Sequence, residues 1–379
     1  MAPQDAPPPR DPRLFATLKQ DVRHMGKDFR RGGFKGTVGR TFTDLEAFYL
    51  STDAQEQLAG MGVVKRWLVR LWWLLKSLLL KLTPARRVLL ALGLVLIVTG
   101  ARGVGFGADA GAQFSVNFPI LGIVLLLAVL MLELKDKLMA RGELEAGRKV
   151  QLALMPERSP RVPGWDLWLF TRPANDVGGD LVDCLQIDAG RFGISLGDVA
   201  GKGLPAALLM AKLQSTLRAL VPEFTSLGEL GAAVNRILHR DGLPNRFATL
   251  VYLEVSGGSG HVRVLNAGHM PPFILRGTSI EELPRGSMAL AIVPQAAFTE
   301  HGVDLAEGDR LVVYSDGITE AMNEAGEFFG DDRLRSVLQG RPGLSAQETG
   351  ATLLAAVEAF VSHARAHDDV SIVVLQRTR

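Results

Sequence analysis

The stretch GDVAGKG, residues 197–203, stands between the apolar run Phe192–Leu196 and a helical pattern over Leu204–Leu220. A short apolar run bounded by glycine is typical of a buried strand. An aspartate at the end of such a strand is costly to bury unless another group compensates its charge. We therefore expect Asp198 to belong to a charged site at the edge of a sheet.

Aspartates in the same kind of position recur elsewhere in the chain. Asp180, Asp316 and the pair Asp368-Asp369 all stand where an apolar run meets a turn. Each of them alone is typical of a turn. As a group, such carboxylates would repel one another, and a divalent cation would relieve that repulsion. Ligands that are all oxygen, without cysteine or regularly spaced histidine, favour Mg²⁺ or Mn²⁺ over Zn²⁺.

Three other motif interpretations fit parts of these stretches. A P-loop at 197–203 fails, because its glycines are too closely spaced and Gly203 replaces the hydroxyl residue that would bind magnesium. His367-Asp368 resembles a His-Asp phosphohydrolase pair, but it precedes a β-type run and has no second matching pair. His269 is a candidate catalytic histidine, although a histidine that holds a turn is the more frequent case.

The composition describes a folded chain that does not depend on disulfides. Hydrophobic residues make up 47% of the 379 residues and charged residues 22%, which excludes a disordered chain. Lys and Arg number 42 against 40 Asp and Glu, and the formal charge of +2 argues against a dedicated nucleic-acid binder. Cys184 is the only cysteine, which excludes an intrachain disulfide and a cysteine-based metal site.

Changes in composition divide the chain into four segments. Residues 1–62 are rich in proline, then in glycine and arginine, and predict a flexible cytosolic arm. Residues 63–134 are strongly apolar and predict an interfacial helix followed by two transmembrane helices. Residues 135–155 have a charged helical pattern that we interpret as a linker or stalk helix. Residues 156–379 have the composition of an ordinary globular domain.

The apolar segment predicts a transmembrane hairpin. Val88–Thr99 must extend over Pro84–Phe106 to cross about 30 Å of hydrocarbon, and Phe114–Leu132 is the stronger span. Trp67–Leu82 carries cations among Leu and Trp, which fits a helix at the lipid interface. Lys and Arg concentrate before the first span and after the second, so both ends are expected in the cytoplasm. The alternative is a buried helical pair in a soluble domain.

The linker pattern over Asp136–Leu154 admits two interpretations. Apolar residues at Leu138, Leu144 and Val150 fit the seam of a parallel two-helix stalk, which would make the chain a homodimer. Two glycines interrupt that seam, so a plain linker helix fits almost equally well.

In the globular segment, β-type runs bounded by Gly, Pro and Asp occur in clusters and do not alternate with helices. That order favours an α+β fold over a doubly wound parallel sheet. The predicted strands are Trp165–Phe170, Phe192–Leu196, Ala248–Val255, His261–Leu265, Pro272–Leu275, Arg310–Ser315 and Val370–Gln376, and the predicted helices are Leu204–Leu220, Leu227–Arg240 and Ser345–Ala364.

A series of short motifs runs through this region. They are GRKVQ at 147–151 with MP at 155–156, PANDVGGDLVD at 173–183, GDVAGKGLPAA at 197–207, FATL at 247–250, NAGH at 266–269, SDGITEA at 315–321 and DDVS at 368–371. On these motifs, residues from about Glu143 to Gln376 resemble the SpoIIE/RsbU-like branch of the PPM (protein phosphatase 2C-like) metal-dependent serine/threonine phosphatases. The resemblance implies a β-sandwich flanked by helices that hydrolyses phosphoserine or phosphothreonine on a protein.

The same resemblance implies a centre of two Mn²⁺ or Mg²⁺ ions. Asp198 would bridge both ions, with the Val199 carbonyl oxygen as a further ligand. Asp180 would hold one ion, and Asp316 and Asp368 would hold the other, so that Asp198 and Asp180 are the predicted catalytic residues. Two cations acidify a bridging water, and the resulting hydroxide attacks phosphorus while the ions stabilise the phosphoryl oxygens.

Two positions depart from the family pattern. Asn175 stands where many members carry an arginine that holds the substrate phosphate. Ala200 stands where eukaryotic-type relatives carry a histidine that acts on the leaving group. The groups that anchor phosphate and protonate the leaving group are therefore unassigned, with Arg172 and Lys202 as candidate cations.

The resemblance also implies regulation at the start of a helix. Gly201, Lys202 and Gly203 lie between the bridging Asp198 and the next helical pattern. The corresponding helices of the family resemble a switch that is coupled to dimerisation. We hypothesise that a rearrangement of the membrane segment or stalk resets this helix and assembles the metal site.

These inferences describe a signalling phosphatase anchored in the bacterial inner (cytoplasmic) membrane, with its phosphatase domain in the cytoplasm. Its partners would be membrane lipid and a phosphorylated protein, by resemblance an anti-sigma-factor antagonist or a similar small regulator. No nucleic-acid partner is expected. The alternative is a catalytically silent module that keeps the fold and acts by binding a partner.

Overall fold

A computed structural model describes most of the chain as two units, Met1–Asp136 and Lys137–Arg379. The described residues are 65, 69, 76, 79–99, 104–106, 114–242, 246–364 and 366–378. The predicted arm at 1–62 lies outside them, and so does most of the predicted interfacial helix over Trp67–Leu82. The expectations for both segments stay predictions.

From residue 84 on, the described residues of the first unit form two helices with a short β-ribbon between them in sequence, and residues 65, 69, 76 and 79–81 are helical as well. Helix α1 covers Pro84–Thr99, and helix α2 covers Phe118–Leu154. Strand β1, Val104–Phe106, pairs antiparallel with strand β2, Phe114–Val116. The boundary between the two units falls within α2.

Within this unit, α1 and α2 approach each other closely at a pair of glycines. An added Cβ on Gly122 would lie 2.6 Å from the carbonyl oxygen of Gly93, so a larger side chain does not fit there. Small residues at such a crossing let two helix backbones come close together. Near the start of α1, the Arg86 guanidinium donates hydrogen bonds of 2.6 Å to Glu133 and to Asp136.

Apolar side chains lie on the outward surface of these helices. Val88, Val98 and Ile120 are 67%, 83% and 58% exposed, whereas a helix of a soluble protein turns its apolar stripe toward the core. Within the described part of the chain, one helix, α2, is long and apolar enough to cross a membrane. With 16 residues, α1 is about 24 Å long, which is shorter than the roughly 30 Å of a hydrocarbon core.

The expected extension of the first span over Pro84–Phe106 is wrong. The helix ends at Thr99, and the last three residues of that range form β1. Glycine is frequent in this part of the sequence and lowers its helix propensity, while pairing with β2 satisfies its backbone. The helix of the second expected span, Phe114–Leu132, likewise starts only at Phe118, after β2.

The second unit is built on two five-stranded antiparallel sheets. Its strands are β3 Trp165–Arg172, β4 Leu181–Gln186, β5 Arg191–Val199, β6 Ala248–Ser256, β7 His261–Ala267, β8 Phe273–Arg276, β9 Ser279–Glu282, β10 Glu300–Asp304, β11 Arg310–Tyr314 and β12 Val370–Arg377. The strand order is β10-β7-β6-β5-β4 in the first sheet and β3-β12-β11-β8-β9 in the second. The helices that follow α2 are α3 Leu204–Leu220, α4 Leu227–Asp241, α5 Asp316–Thr319, α6 Gly330–Leu338 and α7 Ala346–Val361.

The two sheets pack face to face through side chains that alternate along each strand. Phe192, Ile194 and Leu196 of β5 meet Val373 and Leu375 of β12 in this inter-sheet core. Helices cover the outer faces, with α3 and α4 on the first sheet and α6 and α7 on the second. The result is a four-layer sandwich, so the predicted α+β sandwich flanked by helices is confirmed.

The segment predicted as a linker, 135–155, continues α2 as a helix. Because the second unit begins at Lys137, most of this segment belongs with the sandwich. The Gln214 side chain of α3 donates a hydrogen bond of 2.8 Å to the Leu154 carbonyl, and Gln151 is buried. The end of α2 is therefore a packed part of this unit, which starts earlier than the predicted domain boundary at residue 156.

Seven of the ten strands of the sandwich are confirmed, whereas β4, β9 and β10 were not predicted. The last two are exposed strands at sheet edges and lack an apolar pattern. In β4 the pattern is broken by Asp183, which is 4% exposed. The Arg218 guanidinium of α3 donates two hydrogen bonds of 2.7 Å to this carboxylate, so a charged residue occupies a core position of the strand.

Replacing Arg218 with Met is expected to lower the free energy of unfolding by about 1–3 kcal/mol, because the buried Asp183 loses its partner. The Arg218 side chain is 45% exposed. Because water solvates part of its guanidinium, we expect a loss near the low end of that range. Arg240→Met is the matched control, since it breaks the exposed pair with Asp241 and should change stability by less than about 0.5 kcal/mol. Urea titration measures both values, and equal losses would contradict the role given to Asp183.

Candidate active site

The acidic residues at the strand ends meet at one edge of the sandwich, which we call the acidic edge: Asp180, Asp198, Asp316 and Asp368. In the first sheet, Leu181 pairs with Gly197, so the start of β4 lies beside the end of β5. Asp180 directly precedes β4 and Asp198 is the penultimate residue of β5. The negative charge of Asp198 acts on the Asp180 carboxyl, so the two groups lie close together.

The second sheet brings its acidic residues to the acidic edge in the same way. Strands β11 and β12 are antiparallel neighbours, and the Ser315 amide donates a hydrogen bond of 3.0 Å to the Ser371 carbonyl. Asp316 begins α5 directly after this contact, while Asp368 and Asp369 directly precede β12. Antiparallel pairing therefore explains why residues far apart in sequence share one edge.

A serine of the second sheet forms a hydrogen bond with Asp180, which belongs to the first sheet's acidic pair. The Ser371 hydroxyl of β12 donates to Asp180 Oδ2 at 2.5 Å. Asp180 is 4% exposed, and its burial, followed by the negative charge of Asp198, raises the pKa of Asp180 well above its ordinary value. The sandwich thus favours the protonated form of this carboxyl.

Burial, followed by repulsion between carboxylates, governs the electrostatics of the acidic edge. Burial raises the pKa of Asp198 to about 7, and the charges of Asp316, Asp368 and Asp369 add to that effect. Burial, followed by the charge of Asp368, raises the pKa of Asp316 to about 6. The protein itself supplies too little positive charge to keep these groups fully ionised at neutral pH.

Lys202 brings a positive charge to the acidic edge. Its Nζ lies 3.0 Å from Asp368 Oδ2 and also donates to the His367 carbonyl. Its neighbours Gly201 and Gly203 have φ angles of +108° and +75°, which residues with a Cβ rarely adopt. Two of the three predicted regulatory residues are therefore fixed as glycine by the backbone, and the third contacts a predicted metal ligand.

Arg246 packs against the same loop and was not predicted. Its Nη1 donates to the Ala200 carbonyl, and an added Cβ on Gly201 would collide with the guanidinium. The backbone that follows Asp198 is therefore held by a hydrogen bond from Arg246, which lies 46 residues beyond Ala200 in sequence. No local pattern in the sequence signals a contact of that range.

Asp369 holds the backbone that presents Asp180. Its Oδ1 accepts a hydrogen bond of 2.8 Å from the Ala174 amide. Its Oδ2 accepts from the amides of Gly179 and Asp180, at 2.6 and 3.4 Å. The paired aspartates thus differ in task, because Asp369 is committed to backbone amides while Asp368 contacts Lys202.

His269, the candidate catalytic histidine, is buried and uses both ring nitrogens within the fold. Its Nδ1 is 2.8 Å from the Thr249 hydroxyl, and its Nε2 is 3.0 Å from the Tyr314 carbonyl. Burial lowers the pKa of His269 to about 4, so the ring is neutral at pH 7. These contacts fit the turn-holding interpretation and tie β6 to the end of β11, two residues before Asp316.

Residues 188–378, half of the chain, match the family model of stage II sporulation protein E (SpoIIE). The chain belongs to the SpoIIE family. The resemblance drawn from the short motifs is therefore confirmed for the sandwich.

Named relatives agree with membership of the SpoIIE family. Protein IcfG of Synechocystis sp. is 30% identical over 234 residues, which are 54% of this chain and 37% of IcfG. Phosphoserine phosphatase RsbU of Bacillus subtilis is 25% identical over 239 residues, which are 62% of this chain and 70% of RsbU. The SiaA-PP2C domain of Pseudomonas aeruginosa, at 17% identity, has a TM-score of 0.56 over 64% of this chain and 98% of that domain. The fold of the sandwich is thus of the PP2C type.

The donor chemistry of the acidic edge fits hard divalent cations. Asp180, Asp198, Asp316, Asp368 and the Val199 carbonyl offer only oxygen atoms, and their surplus negative charge is what such an ion neutralises. Among the residues that the structure describes, however, no three acidic, histidine or cysteine side chains are arranged to hold an ion as they stand. The ligand set therefore stays a prediction.

A cavity of about 420 Å³ opens beside Asp368. Met322 and Val361 contribute to its apolar wall, and Arg172 lines it as well. Arg172 donates a hydrogen bond of 2.5 Å to Glu358, so its charge is already paired. The cavity gives the acidic edge an adjacent apolar recess.

Asp198→Asn is expected to stabilise the metal-free protein at pH 8 by about 2–4 kcal/mol. Folding raises the pKa of Asp198 from its ordinary value near 4 to about 7. The contribution of this carboxyl to stability is therefore present below pH 4 and is lost as the pH rises through 7. Urea titrations in chelator at pH 4 and pH 8 measure the effect, which should vanish at pH 4.

Asp304→Asn is the matched control for that measurement, because the Asp304 side chain is 88% exposed. It should leave stability almost unchanged at both pH values. Equal stability of wild type and Asp198→Asn at pH 8 would contradict the repulsion inferred for the acidic edge.

Proposed function

We propose that this chain is a metal-dependent phosphatase of phosphoserine and phosphothreonine in proteins. The observation that carries the proposal is the acidic edge, where Asp180 and Asp198 of one sheet meet Asp316 and Asp368 of the other. Membership of the SpoIIE family, a PP2C-type fold and similarity to a relative named as a phosphoserine phosphatase support it.

In this proposal, Asp198 and Asp180 are the catalytic carboxylates, and they hold two Mn²⁺ or Mg²⁺ ions with the Val199 carbonyl, Asp316 and Asp368. When bound, such ions supply an activated water and neutralise charge on the transferred phosphoryl group. The chain contributes rigid presentation of these ligands, because each of them lies at or beside the end of a strand of the sandwich.

Two cations of the chain would bring phosphate to the acidic edge. Lys202 is 55% exposed and lies beside Asp368, so its ammonium group is accessible to a substrate. Arg246, bound to the Ala200 carbonyl, adds positive charge at the same loop. With the proposed metal ions bound, these two cations would help to attract a phosphate dianion and would stand in for the arginine that many members carry at the position of Asn175.

The proposed substrate is a phosphorylated protein, and within that class an anti-sigma-factor antagonist or a similar small regulator. The cavity beside Asp368 supports a protein substrate, since it offers space and an apolar wall for residues next to the phosphorylated side chain. Similarity to RsbU, a named phosphoserine phosphatase, supports the class of phosphoresidue.

A second candidate is a catalytically silent module that acts by binding a partner. Asn175 and Ala200 favour it, since these positions lack the arginine and the histidine that related enzymes carry there. Mutual repulsion within the acidic edge argues against it, because a chain without a cation would gain stability by losing these aspartates.

We also propose that the first unit anchors the chain in the bacterial inner membrane and leaves the sandwich in the cytoplasm. The apolar outward surface of α1 and α2 supports contact with lipid, and the cations that flank the two apolar segments support this orientation. Exposed Leu138 and Val150 on α2 support a homodimer through that helix.

The phosphatase proposal predicts that the full-length chain hydrolyses an aryl phosphate and a phosphoserine peptide in the presence of Mn²⁺, and that chelator abolishes the rate. Asp198→Asn should lower kcat/KM on the order of 100-fold, because the bridging carboxylate is lost. This variant is expected to be at least as stable as wild type, so the loss reports on chemistry. Asp304→Asn should keep the wild-type rate. Equal rates for wild type and Asp198→Asn would contradict the phosphatase proposal and favour the catalytically silent module.

The membrane proposal predicts that the full-length chain floats with vesicles of phosphatidylethanolamine and phosphatidylglycerol and resists carbonate extraction. The double change Val124→Arg and Leu127→Arg should reduce insertion, since each arginine at the centre of a span costs about 3 kcal/mol. Leu152→Arg is the control, because Leu152 is similarly exposed but lies in the second unit. A wild-type chain that stays in the soluble fraction would contradict the proposal.

A further inference from the structure

Gln151 is a buried amide side chain in the last turns of α2. It is 4% exposed and makes two hydrogen bonds to one residue. Its Nε2 donates to the Gly178 carbonyl at 2.9 Å, and the Gly178 amide donates to its Oε1 at 3.1 Å. A side-chain amide that pairs with both polar groups of a residue holds that backbone as a neighbouring strand would.

The residue that Gln151 holds lies two positions before Asp180. The next two amides, of Gly179 and Asp180, both donate to Asp369 Oδ2. Three consecutive backbone amides are therefore bound by side chains from distant parts of the chain. Gln151 binds the first of them, and Asp369 binds the other two. Buried amides are costly to leave unpaired, so this turn is set by those two residues.

The two residues belong to different parts of the second unit. Asp369 directly precedes β12 and is part of the sandwich, whereas Gln151 comes from α2, before the first strand of the sandwich. Gly178 has no room for a side chain, because an added Cβ would collide with the Asp369 carboxylate. The turn is thus packed tightly against one partner and hydrogen-bonded to the other.

We propose that Gln151 is a positioning residue for Asp180, so that Asp180 reaches its working place only while the end of α2 is docked. This inference rests on the proposed phosphatase function and adds a control point to it. A shift of the helix over residues 147–154 would withdraw both hydrogen bonds from Gly178 and free the turn that carries Asp180. The geometry gives this role to Gln151 and not to the helix end in general.

Gln214 provides a matched control. It is 3% exposed, and its side-chain amide donates to the Leu154 carbonyl at 2.8 Å. It therefore fastens the same helix end to α3 with one buried amide hydrogen bond, at the helix and not at the turn before Asp180. Loss of this bond loosens the docking by one contact and leaves the Gln151 pair in place.

The test compares Gln151→Met with Gln214→Met in the full-length, metal-free chain. Amide hydrogen exchange over residues 177–181 is the primary readout, because it reports on the turn without any catalysis. Gln151→Met should speed exchange of the Gly178 to Asp180 amides by at least about tenfold, and Gln214→Met should stay within about twofold of wild type. Equal exchange in wild type and Gln151→Met, or equal acceleration in both variants, would overturn the inference.

Mn²⁺ titrated by calorimetry is the second readout. Gln151→Met should weaken Mn²⁺ binding by about tenfold and lower kcat with little change in KM, since the turn that presents Asp180 is loosened and substrate contacts are kept. Gln151→Glu keeps the acceptor for the Gly178 amide and loses the donor, so its exchange rate should lie between those of wild type and Gln151→Met. Exchange in Gln151→Glu that is no faster than in wild type would overturn the inference. This comparison can still be made if Gln151→Met fails to fold. An inactive wild type with fast exchange in Gln151→Met would refute the phosphatase proposal while supporting the positioning role.

Discussion

Repulsion between carboxylates that strand pairing forces together is the constraint on which the acidic edge depends. Asp198 cannot move away from Asp180, because its strand is locked into a central sheet position and its neighbours fill the inter-sheet core. Burial of these carboxyls, followed by their mutual repulsion, raises the pKa values of Asp198 and Asp316. Carboxyl groups held this close together are fully ionised only when a positive charge is bound beside them. That requirement links the architecture of the fold to metal binding.

The parts of this molecule that the sequence predicts are those with local signals. Strand-end aspartates such as Asp198 are visible because an apolar run, an acidic residue and glycine stand side by side. Strand β4 was missed because its buried Asp183 is neutralised by Arg218, which lies 35 residues further along. The supports of Asp180 were missed for the same reason, since Gln151 and Asp369 bind its turn over separations of 27 and 190 residues. Hydrophobic patterning carries no record of such pairs.

The first unit shows the same division between local and non-local information. Composition alone located both apolar helices, because hydropathy is a property of each residue. Pairing of β1 with β2 instead places Val104–Phe106 in a strand, and that pairing is a relation between two segments. Close packing of Gly93 on Gly122 is likewise a relation between two segments, and neither glycine is marked out in its own stretch.

The acidic edge is divided between two sheets, and this division has a mechanical consequence. Each pair of carboxylates is rigid because ladder hydrogen bonds hold its own strands. The sheets themselves meet through an apolar core, and contacts of that kind are non-directional. A slip of one layer over the other would change the spacing between the two pairs while leaving each pair intact. The Ser371 to Asp180 hydrogen bond joins the two layers there, together with the bonds from the Gly179 and Asp180 amides to Asp369, so these contacts jointly limit how far the two pairs can separate.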